Sequence, residues 1–142
     1  MPERKETNKI IIHCAATKPS MDIGIEEITK WHIQRGFSGC GYHYVIKRDG
    51  AIETGRAEED IGAHAYGHNC DSMGLALVGG LSEDGKSEAN YTDEQWSMLR
   101  ELVEELIEKY PDVEIIGHND VSKKDCPCFN VKEWRKNEVA SR

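Results

Sequence analysis

Residues 115–129 read IIGHNDVSKKDCPCF and join the end of a core strand to a loop with two lysines and two cysteines. The run VEIIG before His118 is short, apolar and β-branched, which predicts a buried strand that ends at the histidine. The run KIIIHCA at residues 9–15 has the same form and reaches His13. Because α/β sheets build their sites where strands end, the two histidines are candidates for one site.

Cys126 follows His118 by eight residues. Two imidazoles and a thiolate are three zinc ligands, and a fourth position left open for water is typical of a catalytic site. The alternative is that both histidines are core residues with satisfied hydrogen bonds and that Cys126 is a buried thiol. The residue types alone leave both interpretations open.

For the closely spaced Cys126 and Cys128, a disulfide, a structural zinc site and a redox motif are weaker interpretations than a catalytic zinc ligand. A disulfide between them would be strained, because Pro127 restricts how the two side chains approach each other. Structural zinc sites and redox motifs usually use Cys-x-x-Cys, and this pattern is absent from the sequence. The five cysteines are odd in number and have no secretory context, so free thiols or metal ligands are favoured over a disulfide framework.

The rest of the chain alternates strand and helix patterns. Asp49-Gly50 lies between two β-prone runs and supplies the positive φ angles of a tight hairpin turn. Thr92 and Gln95 form a capping-box pattern before the strongest apolar stripe, and Pro111 marks its end. The further predicted elements are a helix at 23–37, a hairpin at 42–56, a strand at 72–80, a helix at 91–112 and a helix at 130–139. Together they predict an α/β fold: a single domain with a central mixed β-sheet and helices packed on it.

The composition limits the classes of partner. With 26 acidic and 18 basic residues the formal net charge is −8, which argues against binding of nucleic acid or of an anionic membrane surface. The N-terminal run MPERKETNK is charged and lacks the apolar core of a secretory signal, so we expect the chain to be made and kept in a cytoplasm. We expect residues 1–9 to form a flexible polar arm and residues 10–142 to form the domain.

Six stretches of the chain, spread over nearly all of it after residue 9, carry a resemblance. They are IIIHCAATKPS, GYHYVIKRDG, GAHAYGHN, SMGLALVGG, DVSKKDCP and VKEWRKNE. In this order and spacing they resemble the zinc N-acetylmuramoyl-L-alanine amidases, a family that includes the peptidoglycan recognition proteins. Within the family the chain is most similar to the small amidase-type lysozymes of T-seven-like bacteriophages. The family fold is a central mixed sheet with helices packed on it.

The resemblance implies roles for particular residues. It implies one Zn²⁺ per chain, held by His13, His118 and Cys126, and a zinc-activated water as the nucleophile. Tyr42 and Lys124 match the family's two further catalytic positions. On their own, Tyr42 could equally be a half-buried strand aromatic and Lys124 a surface lysine.

Two weaker candidates are also implied by the resemblance. His64 and Asn69 are expected to contact substrate. A helix cap or a core histidine is the competing interpretation for His64.

The resemblance favours an endolysin that hydrolyses the amide between the lactyl group of N-acetylmuramic acid and L-alanine in peptidoglycan. The alternatives are a peptidoglycan-recycling amidase, or a binding protein for muropeptides or for a phage RNA polymerase. A monomer is expected, which stays in the host cytoplasm until a membrane pore lets it reach the periplasm and the cell wall.

Overall fold

A five-stranded sheet forms the centre of the computed structural model, which describes residues 2–140. The strands are β1 (Lys9–Cys14), β2 (Tyr44–Ile46), β3 (Ile52–Thr54), β4 (Ser72–Leu77) and β5 (Glu114–Gly117). The helices are α1 (Ile25–Gln34), α2 (Asp93–Lys109) and α3 (Val131–Ala140), with short 3₁₀ turns at Asn69–Asp71 and His118–Asp120. The strand order is β3-β2-β4-β1-β5, with only β2 and β3 antiparallel. The predicted single α/β domain with a mixed sheet is therefore confirmed.

Helices cover both faces of the sheet, which is why its central strands are apolar on both sides. Ile10 and Ile12 of β1 face α2, where Leu99 and Leu106 belong to the same buried cluster. On the other face, Ala76 of β4 packs in a cluster with residues of α1. Side chains alternate along a strand, so His13 lies on the face opposite to Ile12. His13 is 1% exposed and closes the apolar run of β1.

The capping box at the start of α2 is confirmed. The backbone N–H of Gln95 donates to the Thr92 hydroxyl at 3.1 Å, and the N–H of Thr92 donates to the Gln95 side chain at 3.0 Å. The buried Gln95 amide also donates to the carbonyls of Ile46 and Val78, which fixes the helix to the ends of β2 and β4. Satisfying these end groups stabilises the longest helix of the protein.

The segment at residues 2–8 contacts the loop at residues 57–61. The backbone N–H of Arg4 donates to Glu59 at 2.7 Å, and its guanidinium donates to the carbonyls of Glu58 and Asp60. A polar composition does not reveal these carbonyl acceptors, and the flexible arm predicted at residues 1–9 stays a prediction. Residues 1, 141 and 142 lie outside the described residues, and the domain boundary at residue 9 stays a prediction.

None of the helices between residues 2 and 140 combines the length and apolar character that crossing a membrane requires.

Candidate functional site

Three candidate metal ligands meet at one edge of the sheet. His13 is the second-to-last residue of β1, and His118 follows the last residue of β5. The two strands are parallel neighbours, so their carboxyl ends lie side by side. A nitrogen of each imidazole and the Cys126 sulfur all lie within 4.8 Å of one another. Two imidazoles and one sulfur are a donor set that suits zinc and leaves a position for water.

The backbone next to His13 holds Cys126. The N–H of Cys14 donates to the Cys126 sulfur at 3.0 Å, so one strand end supplies both a ligand and a donor to another ligand. Such a hydrogen bond favours the thiolate form. In the absence of a metal charge, the hydrogen-bonded Cys14 thiol and burial raise the pKa of Cys126. A coordinated cation would deprotonate the thiol.

The loop that carries Cys126 is fixed at both ends. The N–H of Gly117 donates to the Asp120 carboxylate at 2.8 Å, and the Asn119 amide donates to the Phe129 carbonyl at 3.1 Å. The Tyr91 hydroxyl donates to the Pro127 carbonyl at 2.7 Å. These bonds set the position of the thiol relative to the strand ends.

Both histidines are in the form that binds a metal. Burial lowers the pKa of His13 well below its usual value, and the nearby His64 and His118 lower it further. Burial also lowers the pKa of His118, with the Lys124 ammonium as the next cause. A metal binds the neutral imidazole, so no proton has to be released from either ring at neutral pH.

Tyr42 stands beside His13, with 5.1 Å between the two ring centroids. Tyr42 lies in the bend before β2. The backbone N–H of Gly41 donates to His32 Nδ1 of α1 at 2.8 Å, and this hydrogen bond fixes the bend to the helix. Only a glycine fits at position 41, because an added Cβ would lie 2.0 Å from the Ala63 carbonyl oxygen. Burial raises the pKa of the Tyr42 phenol far above its usual value, and Cys126 adds to the rise. The phenol therefore remains a hydrogen-bond donor.

Lys124 is exposed in the loop two residues before Cys126. Its ammonium contributes to the lowered pKa of both His13 and His118, which places a positive charge near both rings. The residue also lines an open cavity of about 490 Å³ together with Asp125 and Phe129. A cation beside the candidate ligands could stabilise negative charge that develops on a bound carbonyl.

His64 and Asn69 contact the protein itself. His64 Nδ1 lies 2.8 Å from His13 Nε2, and its Nε2 lies 3.2 Å from the Ser72 hydroxyl. The Asn69 side-chain oxygen accepts the backbone N–H groups of His64 and Ala65 at 2.9 and 3.0 Å. Their predicted contact with substrate stays a prediction, and a substrate bonding to the His64 ring would displace one of these partners.

Sequence reasoning missed the groups that support the ligands. The Cys14 N–H that reaches Cys126 and the Ser72 hydroxyl that reaches His64 lie 112 and 8 residues from their partners. Cys14 is adjacent to His13, but adjacency does not show which way a strand N–H points. Cys128, the other thiol of the pair, lies against the Gly80 carbonyl at 3.3 Å.

Comparison with known proteins gives consistent matches. The family model described as N-acetylmuramoyl-L-alanine amidase matches residues 3–129. The endolysin of Escherichia phage T7 is 44% identical over 140 residues, which span 98% of this chain and 93% of the relative.

Solved structures share the architecture. The endolysin N-acetylmuramoyl-L-alanine amidase LysCS from Clostridium intestinale URNW matches with a TM-score of 0.82 at 33% identity, over 95% of this chain and 84% of that chain. The Apis mellifera protein PGRP-SA has the same fold, with a TM-score of 0.78 at 23% identity over 96% of this chain and 86% of that one.

Proposed function

The chain belongs to the N-acetylmuramoyl-L-alanine amidase family, and we propose on that basis that its activity depends on one zinc ion held by His13, His118 and Cys126. The chain is an amidase of the endolysin type. It hydrolyses the amide bond between the lactyl group of N-acetylmuramic acid and L-alanine in peptidoglycan. The observation that carries the zinc proposal is the meeting of the three donor atoms within 4.8 Å.

The chemistry follows from what amide hydrolysis requires, which is a strong nucleophile and a stabilised oxyanion. Zinc in this position would lower the pKa of a water molecule to about 7 and so supply hydroxide at neutral pH. His13 and His118 bring neutral rings, so the thiolate of Cys126 is the one anionic ligand. A single anionic ligand leaves the site with net positive charge, which favours an anionic nucleophile and a polarised carbonyl.

Lys124 and Tyr42 are the donors of the site. We assign Lys124 to the oxyanion, because its ammonium lies near both ligand histidines. Such a donor typically contributes about 3 kcal/mol to transition-state stabilisation. Tyr42 keeps its proton and can donate to the attacking water or to the carbonyl. The amine of L-alanine leaves with a proton that originates from the attacking water.

Digestion of purified peptidoglycan tests the bond of attack. We expect release of stem peptides that carry a new free amino group on L-alanine, which N-terminal labelling and mass spectrometry detect. The glycan strands should keep their original number of reducing ends, because no glycosidic bond is cut. New reducing ends without new L-alanine amino groups would contradict the proposal.

The physiological setting is also part of the proposal. Comparing rates on intact sacculi and on soluble muropeptides separates an endolysin, which prefers sacculi, from a recycling amidase. A monomer that waits in the host cytoplasm for a membrane pore is consistent with an endolysin.

A phage RNA polymerase remains a proposed second partner. Lys5 and Glu6 are exposed on the docked N-terminal segment and could contact it. A pull-down repeated after replacing both residues with alanine would test that contact.

A further inference from the structure

We infer that His64 is a positioning residue that fixes the tautomer of His13 and leaves the Nδ1 atom of His13 free of a proton for the metal. The inference rests on the proposed zinc site and adds a requirement to it. A histidine can bind a metal through either ring nitrogen, and the hydrogen bond made by the other nitrogen decides which one is free. In this protein a chain of three hydrogen bonds determines which nitrogen of His13 carries the proton.

The chain of hydrogen bonds starts at a group that can only accept. The Ser72 hydroxyl lies 2.5 Å from the His68 carbonyl oxygen and donates its single proton to it. The Ser72 oxygen can therefore only accept in its 3.2 Å contact with His64 Nε2. This places the proton of the neutral His64 ring on Nε2.

The proton on Nε2 of His64 determines the next bond. The opposite nitrogen, Nδ1, carries only a lone pair and accepts at 2.8 Å from His13 Nε2. The neutral His13 ring thus has its proton on Nε2 and a lone pair on Nδ1. The order from the carbonyl to the ligand is His68, Ser72, His64, His13, and reversing any one bond would put two protons or two lone pairs face to face.

The protein builds a close-fitting space for the His64 ring. A Cβ atom added at Gly74 would lie 2.6 Å from Cγ of His64, and one added at Gly62 would lie 2.6 Å from its Cδ2. Neither glycine has a positive φ, so the backbone conformation does not require glycine at these positions. A larger residue at either position would instead occupy the space that the His64 ring fills. The two glycines therefore provide the room that the His64 ring occupies.

His43 closes the same space from the side. Its ring meets the His64 ring edge-on, with 5.9 Å between centroids. The N–H of Gly74 donates to His43 Nδ1 at 3.0 Å, and His43 Nε2 donates to the Asp60 carbonyl at 2.8 Å. His43 therefore presents no free donor or acceptor to His64, which leaves Ser72 and His13 as the polar partners of that ring.

Nitrogen-15 NMR of the purified full-length protein tests the tautomer directly. Long-range proton–nitrogen spectra of the imidazole rings should show His13 protonated at Nε2, with Nδ1 unprotonated or bound to metal. His64 should also be protonated at Nε2. A spectrum with His13 protonated at Nδ1 would overturn the inference, whether or not the protein holds zinc.

Zinc affinity, measured by competition with a chelator, tests the consequence. His64→Ala should weaken zinc binding about 10–100-fold, the usual effect of losing a partner of a ligand histidine. His64→Asn, whose amide oxygen can accept the His13 proton, should recover most of the loss. Ser72→Ala should give mixed tautomers of His64 and His13 in the NMR spectra and weaken binding in the same direction.

Thr92→Ala is the control for a general loss of stability. It removes the helix cap of α2, which lowers the stability of the fold, and it leaves the His64 chain intact. We expect its zinc affinity to equal that of the wild type. Unchanged affinity in His64→Ala would overturn the inference, as would equal losses in His64→Ala and Thr92→Ala. Wild-type protein that binds no zinc but shows the expected tautomers would instead contradict the proposed zinc site alone.

Discussion

Replacing Cys126 with serine is expected to abolish zinc retention and amide cleavage together. The change removes the one anionic ligand and substitutes a hydroxyl that stays protonated, so two neutral imidazoles remain to hold the ion. Loss of the metal removes both the source of hydroxide and several kcal/mol of transition-state stabilisation. We therefore expect the rate of L-alanine release to fall by about 10³-fold or more. Elemental analysis of the purified variant should find zinc well below the wild-type content.

Cys128→Ser provides the matched control. The two thiols are separated by Pro127, but Cys128 lies against the Gly80 carbonyl and is not one of the three clustered ligands among the described residues. This variant should keep both zinc and activity. Retention of zinc and full activity by Cys126→Ser would contradict the assignment, and so would their loss in Cys128→Ser.

Replacing Lys124 with methionine is expected to lower kcat about 10²–10³-fold without changing zinc content. Methionine keeps much of the length of the side chain and removes the ammonium that we assign to the oxyanion. The residue is not a ligand, so the metal should remain. A fall in kcat with little change in KM would show that the interaction is made in the transition state.

The adjacent Lys123→Met change is the control for Lys124. Both lysines are exposed in the same loop, but only Lys124 is among the charges that lower the pKa values of the two ligand histidines. Lys123→Met should retain wild-type kcat. Equal losses in the two variants would mean that general positive charge at the loop, rather than a placed donor, supports the reaction.

Much of the fold could be predicted because it depends on local patterns. The apolar runs of β1, β4 and β5 and the capped stripe of α2 determine their own conformation, and each lies where the sequence indicates. The docking of Arg4 could not be predicted. Its acceptors are carbonyl oxygens more than 50 residues away, and every residue type offers a carbonyl.

The site could be predicted in part, because two of its residues follow local strand patterns. His13 and His118 stand at strand ends, which marks them as candidates, but the sequence does not show that β1 and β5 are neighbours. Tyr42 and Lys124 have no local pattern that separates them from other exposed or half-buried residues, so only the family resemblance indicates them. The His64 chain depends on the Ser72 rotamer and on space beside Gly74, which exist only in the folded protein.

Titrating metal-stripped protein with zinc, while the amidase rate is measured, tests whether one zinc ion at this site drives the reaction. We expect a negligible amidase rate before zinc is added, a linear rise, and a sharp break at one zinc per chain, because His13, His118 and Cys126 form one site. The same titration of Cys126→Ser should stay flat. Full amidase activity in protein shown to contain no metal would rule out a zinc-dependent reaction.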